Sequence, residues 1–570
     1  MASLQSSFTV LATKPTPNPR LSQLRARRSM VSCSTSNGGR VDRRNMLLGL
    51  GGLYGASSLV PGRTARADPL LPPDLSTCDP EGAYIPERLN PDGTVNTPAI
   101  QLDVNCCPPY TDTITDYELP LFSQPRTRPA AHRMTPEYLE KYEEAIRRMK
   151  QLDEDDPNDP RGFTQQANIH CAYCNGPYDQ VGHPGVDIQV HNSWIFFPFH
   201  RWYLYFFERI CGELIGDPTF ALPYWNWDHP DGMHLPAPFS VGYSPLYDCN
   251  RDQRHFGNAI VSLLPGRPGA IETNLNQMKE EMINQSVSAI TFMGKNYRAG
   301  DPPPGPARRG TSERGSHGGV HVWTGNPKNP FNENLGNFYS AGRDPIFYCH
   351  HANVDRMWTI WESLPADYIK AINDPDYLDA AFLFYDEKKN LVRVKVRDCV
   401  DYKALGYVYE YSDIKPWLNY TPPRREVPAN VQELTKTAQA ATQAFPSTVA
   451  ETITVVVPKP AKGRADEVLV LESIVTDSTE LIAFDIFVND DKNSTDEAVS
   501  PEFAGSFSQV PHRSRTAETP SDLTIVLKEL YKNINIADED DFVVVTIIPR
   551  INGEAVTIGG IKIVPLAAAT

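Results

Sequence analysis

The sequence predicts a mainly α-helical domain followed by a smaller C-terminal β-sandwich, and three observations predict it. Long segments in the first two thirds carry helical periodicity and many aromatics. Beyond about residue 452, short apolar runs alternate with polar turns. The stretch between, Thr421 to Lys462, is rich in Pro, Ala, Thr and Gln and reads as a linker.

The first 67 residues read as a two-part address. Residues before Asp42 hold Ser, Thr and Arg but no acid, in the style of a plastid transit peptide. Arg43-Arg44, an apolar stretch from Met46 to Val60 and Ala65-Arg66-Ala67 follow, as in a twin-arginine signal with its cleavage site. The apolar stretch is too short to span a membrane, which takes about 20 residues. The expected destination is the thylakoid lumen. The leader holds ten basic residues and one acid, so removing its +9 from the chain's −16 leaves −25. A chain this acidic offers no electrostatic footing for nucleic acid or anionic membranes.

Asp68 to about Thr115 reads as a Pro-rich loop with three cysteines. Helices are expected at Thr135–Leu152, with an N-cap Thr and an early Pro, and at Gln165–Cys174. A long apolar helix is expected over Ser193–Ile215, interrupted at Pro198, and all-round apolarity places it in the core. Further helices are expected at Ile271–Ser288 and Asp344–Ser363. The sandwich strands are TITVVVPKP, EVLVLESIV, LIAFDIFVND, DLTIVLKELY, DFVVVTIIPR and AVTIGGIKIV. The expected domains are 1–67, 68–420, 421–462 and 463–570.

The histidines carry the chemistry. His170, His191 and His200 fall on or beside the core helices among Trp194, Phe196, Phe197 and Phe199. Buried imidazoles need partners for their ring nitrogens, and a metal supplies one. His317 and His321 lie at i,i+4 and share a helical face. His350-His351 follow, and only one of two adjacent residues can face inward. Asp355, one turn beyond His351, can accept a hydrogen bond there. Three plus three imidazoles suit copper, zinc, nickel or iron. Cys171-x2-Cys174 could also be a redox or zinc motif, but no second such pair supports this.

His170-x3-Cys174, His191-x8-His200, the His317-x3-His321 pair and FYCHHANVDRMW together resemble the plant polyphenol oxidases. These are type-3 dicopper proteins of the tyrosinase, catechol oxidase and hemocyanin superfamily. PYWNWD (Pro223–Asp228), FLFYDEKKNLVRVKVRDC (Phe382–Cys399), the leader and the sandwich extend the resemblance over nearly the whole chain. It implies a four-helix-bundle dicopper core with long loops. Copper A would be held by His170, His191 and His200, copper B by His317, His321 and His351, with His350 not binding. It also implies a Cys174–His191 thioether and the disulfides Cys78–Cys107 and Cys106–Cys171. Cys211, Cys249, Cys349 and Cys399 are expected to be buried thiols.

The resemblance implies oxidation of o-diphenols to o-quinones as O2 becomes water, by a latent proenzyme that a protease activates. The partners would be O2 and small phenols. Phe338 would gate the copper A side, and Glu313 would hold a water that aids phenol deprotonation. Gly318 stands where strong monophenol hydroxylases often have Asn, which favours diphenol oxidation. The sandwich would cover the site. The family's KFDV signature reads Ala483-Phe484-Asp485-Ile486, without the lysine, and Tyr407-Val408-Tyr409 matches the motif that closes the catalytic domain. Competing readings are an O2 carrier, a hydroxylase of one phenolic substrate such as a chalcone, lignan or tyramine-like compound, and a dizinc hydrolase.

Overall fold

The computed structural model describes residues 68–79, 105–410, 415–460, 466–490, 499–537 and 540–566, with the backbone of four short strands between 84 and 101. The leader lies outside the described residues. Ala67–Thr570 form one compact unit.

Four helices build the core of the first domain: α1 (Pro136–Asp155), α2 (Phe163–Cys174), α3 (Phe196–Ile215) and α6 (Ile346–Ser363), with α1 packing on α2 and α3, and α3 on α6. Two shorter helices, α4 (Ile271–Lys279) and α5 (Gly318–Thr324), lie between α3 and α6 in the chain. Thr135 caps α1 by accepting the Tyr138 N–H. Pro198 does not interrupt α3. The helix starts at Phe196, so the proline sits in the first turn, where a missing N–H costs nothing. The turn that continues α4, Glu280–Asn284, is π-helical and ends before Ser288.

α3 is buried on nearly all sides. Its packing is aromatic: Tyr173, Phe199, Phe206, Phe382 and Phe384 interleave at ring separations of 4.8 to 6.3 Å. Disulfides join Cys78 to Cys107 and Cys106 to Cys171, tying the N-terminal loop to α2. Cys174, Cys211, Cys349 and Cys399 are buried free thiols. Cys249 is exposed instead of buried, because the Asp248 carboxylate accepts the Asn250 N–H and turns the loop outward there.

Charge is buried in this domain as a network. Asp355 accepts from Arg201 (2.6 Å), Tyr407 (2.6 Å), Tyr409 (2.6 Å) and Arg128 (3.4 Å). Arg128 also donates to Glu208, which takes Arg126 as well. The tyrosine motif thus locks the end of the domain onto α6, and Asp355 holds arginines and tyrosines, not a histidine.

The second domain has two five-stranded sheets face to face among the described residues. One pairs β1 (Ile453–Pro458), β6 (Phe542–Ile551), β3 (Ile482–Val488) and β4 (Phe503–Gln509), with Gln439–Ala440 at its edge. The other is centred on β2 (Glu467–Thr476), which pairs with β5 (Ser521–Val526), β7 (Val556–Ile558) and β8 (Gly560–Pro565). The sheet therefore takes in β1, inside the stretch expected to be linker. DLTIVLKELY divides into β5 and a helix, Lys528–Asn533, and AVTIGGIKIV divides into β7 and β8. β4 is an additional strand. The chain from 421 to 444 is largely exposed.

Candidate metal centre

Six histidines converge in the helical domain. On one side, His170 comes from α2, His191 from the loop before α3, and His200 from the second turn of α3. Their ring centroids lie 5.2, 5.7 and 5.1 Å apart in pairs. On the other side, His317 ends a π-turn (Glu313–His317), His321 lies on α5 and His351 on α6. These three rings lie 4.6, 5.1 and 5.5 Å apart. The two sets meet where His200 stacks on His351 at 4.2 Å.

Sequence dictates the π-turn. Glu281 reaches over from the turn after α4 and accepts the Ser316 N–H (2.8 Å) and hydroxyl (2.6 Å). A Cβ on Gly315 would fall 2.1 Å from the Glu281 Oε2, so only glycine admits this carboxyl. Burial pushes Glu281 up to about 8.

The ring nitrogens are ordered for a metal. A carbonyl can only accept, so each Nδ1 facing one must donate. Nδ1 of His170 donates to the Phe338 carbonyl (2.8 Å), that of His200 to Phe196 (2.8 Å), that of His317 to Glu313 (3.2 Å) and that of His321 to Leu335 (2.6 Å). His191 donates to the Gln189 side-chain oxygen (3.2 Å). This leaves the Nε2 lone pairs of these five free, and those of His170, His191, His200 and His317 are buried without a partner; His351 Nδ1 is buried and unpartnered. His321 Nε2 and His351 Nε2 face each other at 3.3 Å. Two imidazoles on one ion, at bonds of about 2.0–2.1 Å, stand about that far apart. Burial, then neighbouring imidazoles, holds His170, His191, His317 and His351 far below the usual histidine range. Burial takes His200 to about 3 and His321 to about 4, so all six are neutral at pH 7, the form in which imidazole can bind a metal.

His350 is as close to this group as His351 and equally buried. Its Nδ1, however, accepts the Trp227 indole N–H (3.1 Å). Indole only donates, so the neutral His350 ring carries its proton on Nε2 and has no lone pair left for a metal. Trp227 belongs to PYWNWD, and the same run supports α6 elsewhere. Trp225 donates its backbone N–H to the Cys349 carbonyl, and Asp228 binds Arg356 and Asn353.

Glu313 is 1% exposed, so it is no solvated loop charge. Its Oε1 accepts the Asn192 N–H (2.7 Å), Oε2 has no partner, and burial pushes it up to about 8. Phe338 stacks on His191 at 4.0 Å. Its other neighbour is His512 of the sandwich, stacked at 5.1 Å. The segment that follows β4 forms a clasp around this point. The Pro511 carbonyl accepts the Phe338 N–H (3.1 Å), Arg513 N–H donates to Asn175 (2.7 Å), and Arg515 N–H donates to Asp187 (2.5 Å). Gly318 is buried, and a Cβ there would meet Ser508 Oγ of β4 at 3.2 Å. Asp485 of the KFDV position binds Arg267 of the helical domain (2.7 Å) and Arg550 (2.6 Å). Cys174 Sγ lies within 4.8 Å of ligand nitrogens of His170 and His191. Sequence reasoning did not find Trp227, Glu281 or the clasp as parts of the site. PYWNWD was visible as a motif, but its partner is 123 residues away.

The common central domain of tyrosinase matches residues 160–364. The polyphenol oxidase middle domain matches 371–423 and the chloroplastic polyphenol oxidase C-terminal domain 445–565. Fold and histidines together define a type-3 dicopper protein. The chain is 43% identical to a chloroplastic (+)-larreatricin hydroxylase of Larrea tridentata over 99% of each chain. It is 44% identical to the latent form of a chloroplastic polyphenol oxidase of Prunus armeniaca, over 94% of this chain and 92% of that one. The structure of latent apple tyrosinase superposes with a TM-score of 0.73 at 45% identity, covering 79% of this chain and 99% of that one. The chain belongs to the plant polyphenol oxidase family, copper enzymes of the chloroplast. No helix among the described residues is long and apolar enough to cross a membrane.

Proposed function

We propose that this enzyme oxidises o-diphenols to o-quinones, two diphenols giving two quinones as one O2 becomes two waters. His170, His191 and His200 would hold copper A, and His317, His321 and His351 copper B. The observation that carries this reading is the set of imidazoles whose Nδ1 atoms are tied back, leaving Nε2 lone pairs that converge. When bound, the two ions supply O2 binding and electron transfer. The protein supplies the rest. Burial of neutral imidazoles fixes the geometry, and a Cys174–His191 thioether would hold the one ligand that lies in a loop. Glu313 Oε2 is free to take up the phenol proton, directly or through a water, and its raised affinity for a proton suits a base working near neutral pH. Phe338 shapes the approach over the copper A side.

The clasp and His512 support a latent form in which the sandwich shields the site, and the exposed chain after Thr421 supports activation by a protease. The leader supports delivery to the thylakoid lumen. Diphenol preference rests on Gly318. The hydroxylase relative from Larrea makes monophenol hydroxylation the second reading. O2 uptake by the copper-loaded enzyme, with a diphenol and with a monophenol, before and after mild proteolysis, tests these points. Uptake with the diphenol, rising after cleavage, is expected. No uptake with either phenol refutes the oxidase, and rapid lag-free uptake with the monophenol refutes the diphenol preference. His191→Ala is expected to lose copper A and turnover together. Retained turnover would overturn the ligand set.

A further inference from the structure

A cavity of about 430 Å³ lies between the helical domain and the sandwich, away from the histidines. Five cationic side chains line it: Lys295, Arg298, Arg308, Arg309 and Arg314. Two carboxylates, Asp374 and Asp522, line it as well, so the wall carries a net charge of +3 in a chain of net charge −16. Arg298 is satisfied by Asp374 (2.6 Å) and Asp376 (2.8 Å). Arg309 lies 3.9 Å from the Glu313 carboxylate, and Lys295, Arg308 and Arg314 have no ion pair among the described residues.

Arg309 is 6% exposed. It donates to the Asn192 side chain (2.5 Å) and the Ser508 carbonyl (2.7 Å), and its Nη2 has no partner. Arg308 Nε is buried and unpartnered too. Lys295 has no hydrogen bond or ion pair at its ammonium among the described residues; its attraction to Asp522 acts at longer range. Arg314 makes one hydrogen bond to the Thr524 carbonyl (3.3 Å). Burial holds Lys295, Arg308 and Arg309 below their usual values and brings Arg314 to about 10. Burial thus outweighs the pull of the carboxylates around them, Asp522, Asp301, Glu313 and Glu281.

We propose that this cavity binds a small multivalent oxyanion of the phosphate class. Three or four acceptor oxygens and a charge near −2 match the unpaired guanidinium and ammonium donors, whereas a single carboxylate would leave most of the +3 uncompensated. Asp522, Thr524 and Val526 of the sandwich form part of the wall, so the site is complete only while the sandwich is docked. No histidine lines the site, and Arg309 is its link to the oxidase centre, through Asn192 and Glu313.

Calorimetric titration of the full-length copper-loaded protein tests this, with inorganic phosphate and glucose 6-phosphate as separate probes. Chloride at matched ionic strength is the control. Saturable 1:1 binding of at least one phosphate is expected, and tighter binding of one probe identifies the free or the esterified anion as the ligand. The Lys295→Met/Arg308→Met double variant is expected to bind about tenfold more weakly or worse, with an unchanged far-UV circular dichroism spectrum. Asp522→Asn, which removes a negative charge from the wall, is expected to tighten binding. Heats no larger than the chloride control, or equal affinity in the wild type and both variants, would overturn the proposal.

Discussion

The two domains bury different things. The helical domain buries aromatics together with polar and charged groups: seven imidazoles, the Asp355–Arg201–Arg128–Glu208 network and the Arg251–Asp344 pair. The sandwich core is largely aliphatic, built from Val, Ile and Leu on facing sheets. Its buried Asp485 and His512 face the helical domain, through Arg267 and Phe338. The difference teaches a division of labour. Polar groups are buried where they converge on the candidate metal centre or brace the helices that carry the histidines, and each must find its partner. The sandwich needs only shape and stability, and it spends polar residues on docking.

Four experiments break or sharpen this contrast. Asp355→Ala leaves Arg201 and Arg128 buried without their shared acceptor, and a loss of about 3–5 kcal/mol is expected in denaturant unfolding of the helical domain. A loss below about 1 kcal/mol would deny the network its structural role. Leu523→Ala, in the aliphatic core, is expected to cost about 2–5 kcal/mol in the sandwich transition alone, with the copper content unchanged. His512→Ala removes one aromatic stack worth about 0.5–1.5 kcal/mol, so the uncleaved enzyme is expected to turn over diphenol up to about tenfold faster. Unchanged latency would show that His512 is not part of the shield.

The fourth experiment titrates Glu281. Its folded value of about 8 lies above the ordinary 4.5, so the stability from burying its neutral form is full below about pH 4.5 and falls as pH rises towards 8. Glu281→Gln keeps the shape and removes that titration. Its stability is expected to be flatter with pH across this window, by denaturant midpoints at successive pH values.

The sequence displayed most of this architecture, and for definite reasons. The histidines were legible because side chains that converge from one helical face recur at helical spacing, as with His317 and His321. α1 and α6 were legible because packing and periodicity agree there. β4 was not, because EFAGSFSQV carries Gly and Ser where strands favour branched residues, and its burial comes from pairing with β3 and lying against the π-turn. The choice between His350 and His351 was equally hidden. What distinguishes them is an indole proton from Trp227 on His350, which no local spacing records. The clasp had no periodic signature at all, since its hydrogen bonds come from backbone N–H groups that any residue carries.

The clasp also changes what proteolysis can achieve. Val510 packs into the aromatic core of the helical domain, and the residues after it hydrogen-bond to Phe338, Asn175 and Asp187. None of these contacts runs through the linker. Cutting the chain after Thr421 therefore removes a tether, not a contact, and turns a fixed intramolecular cover into a two-chain complex with a dissociation constant. A nicked enzyme would then stay shielded at high concentration and open on dilution, so cleavage alone would not set the timing of activity.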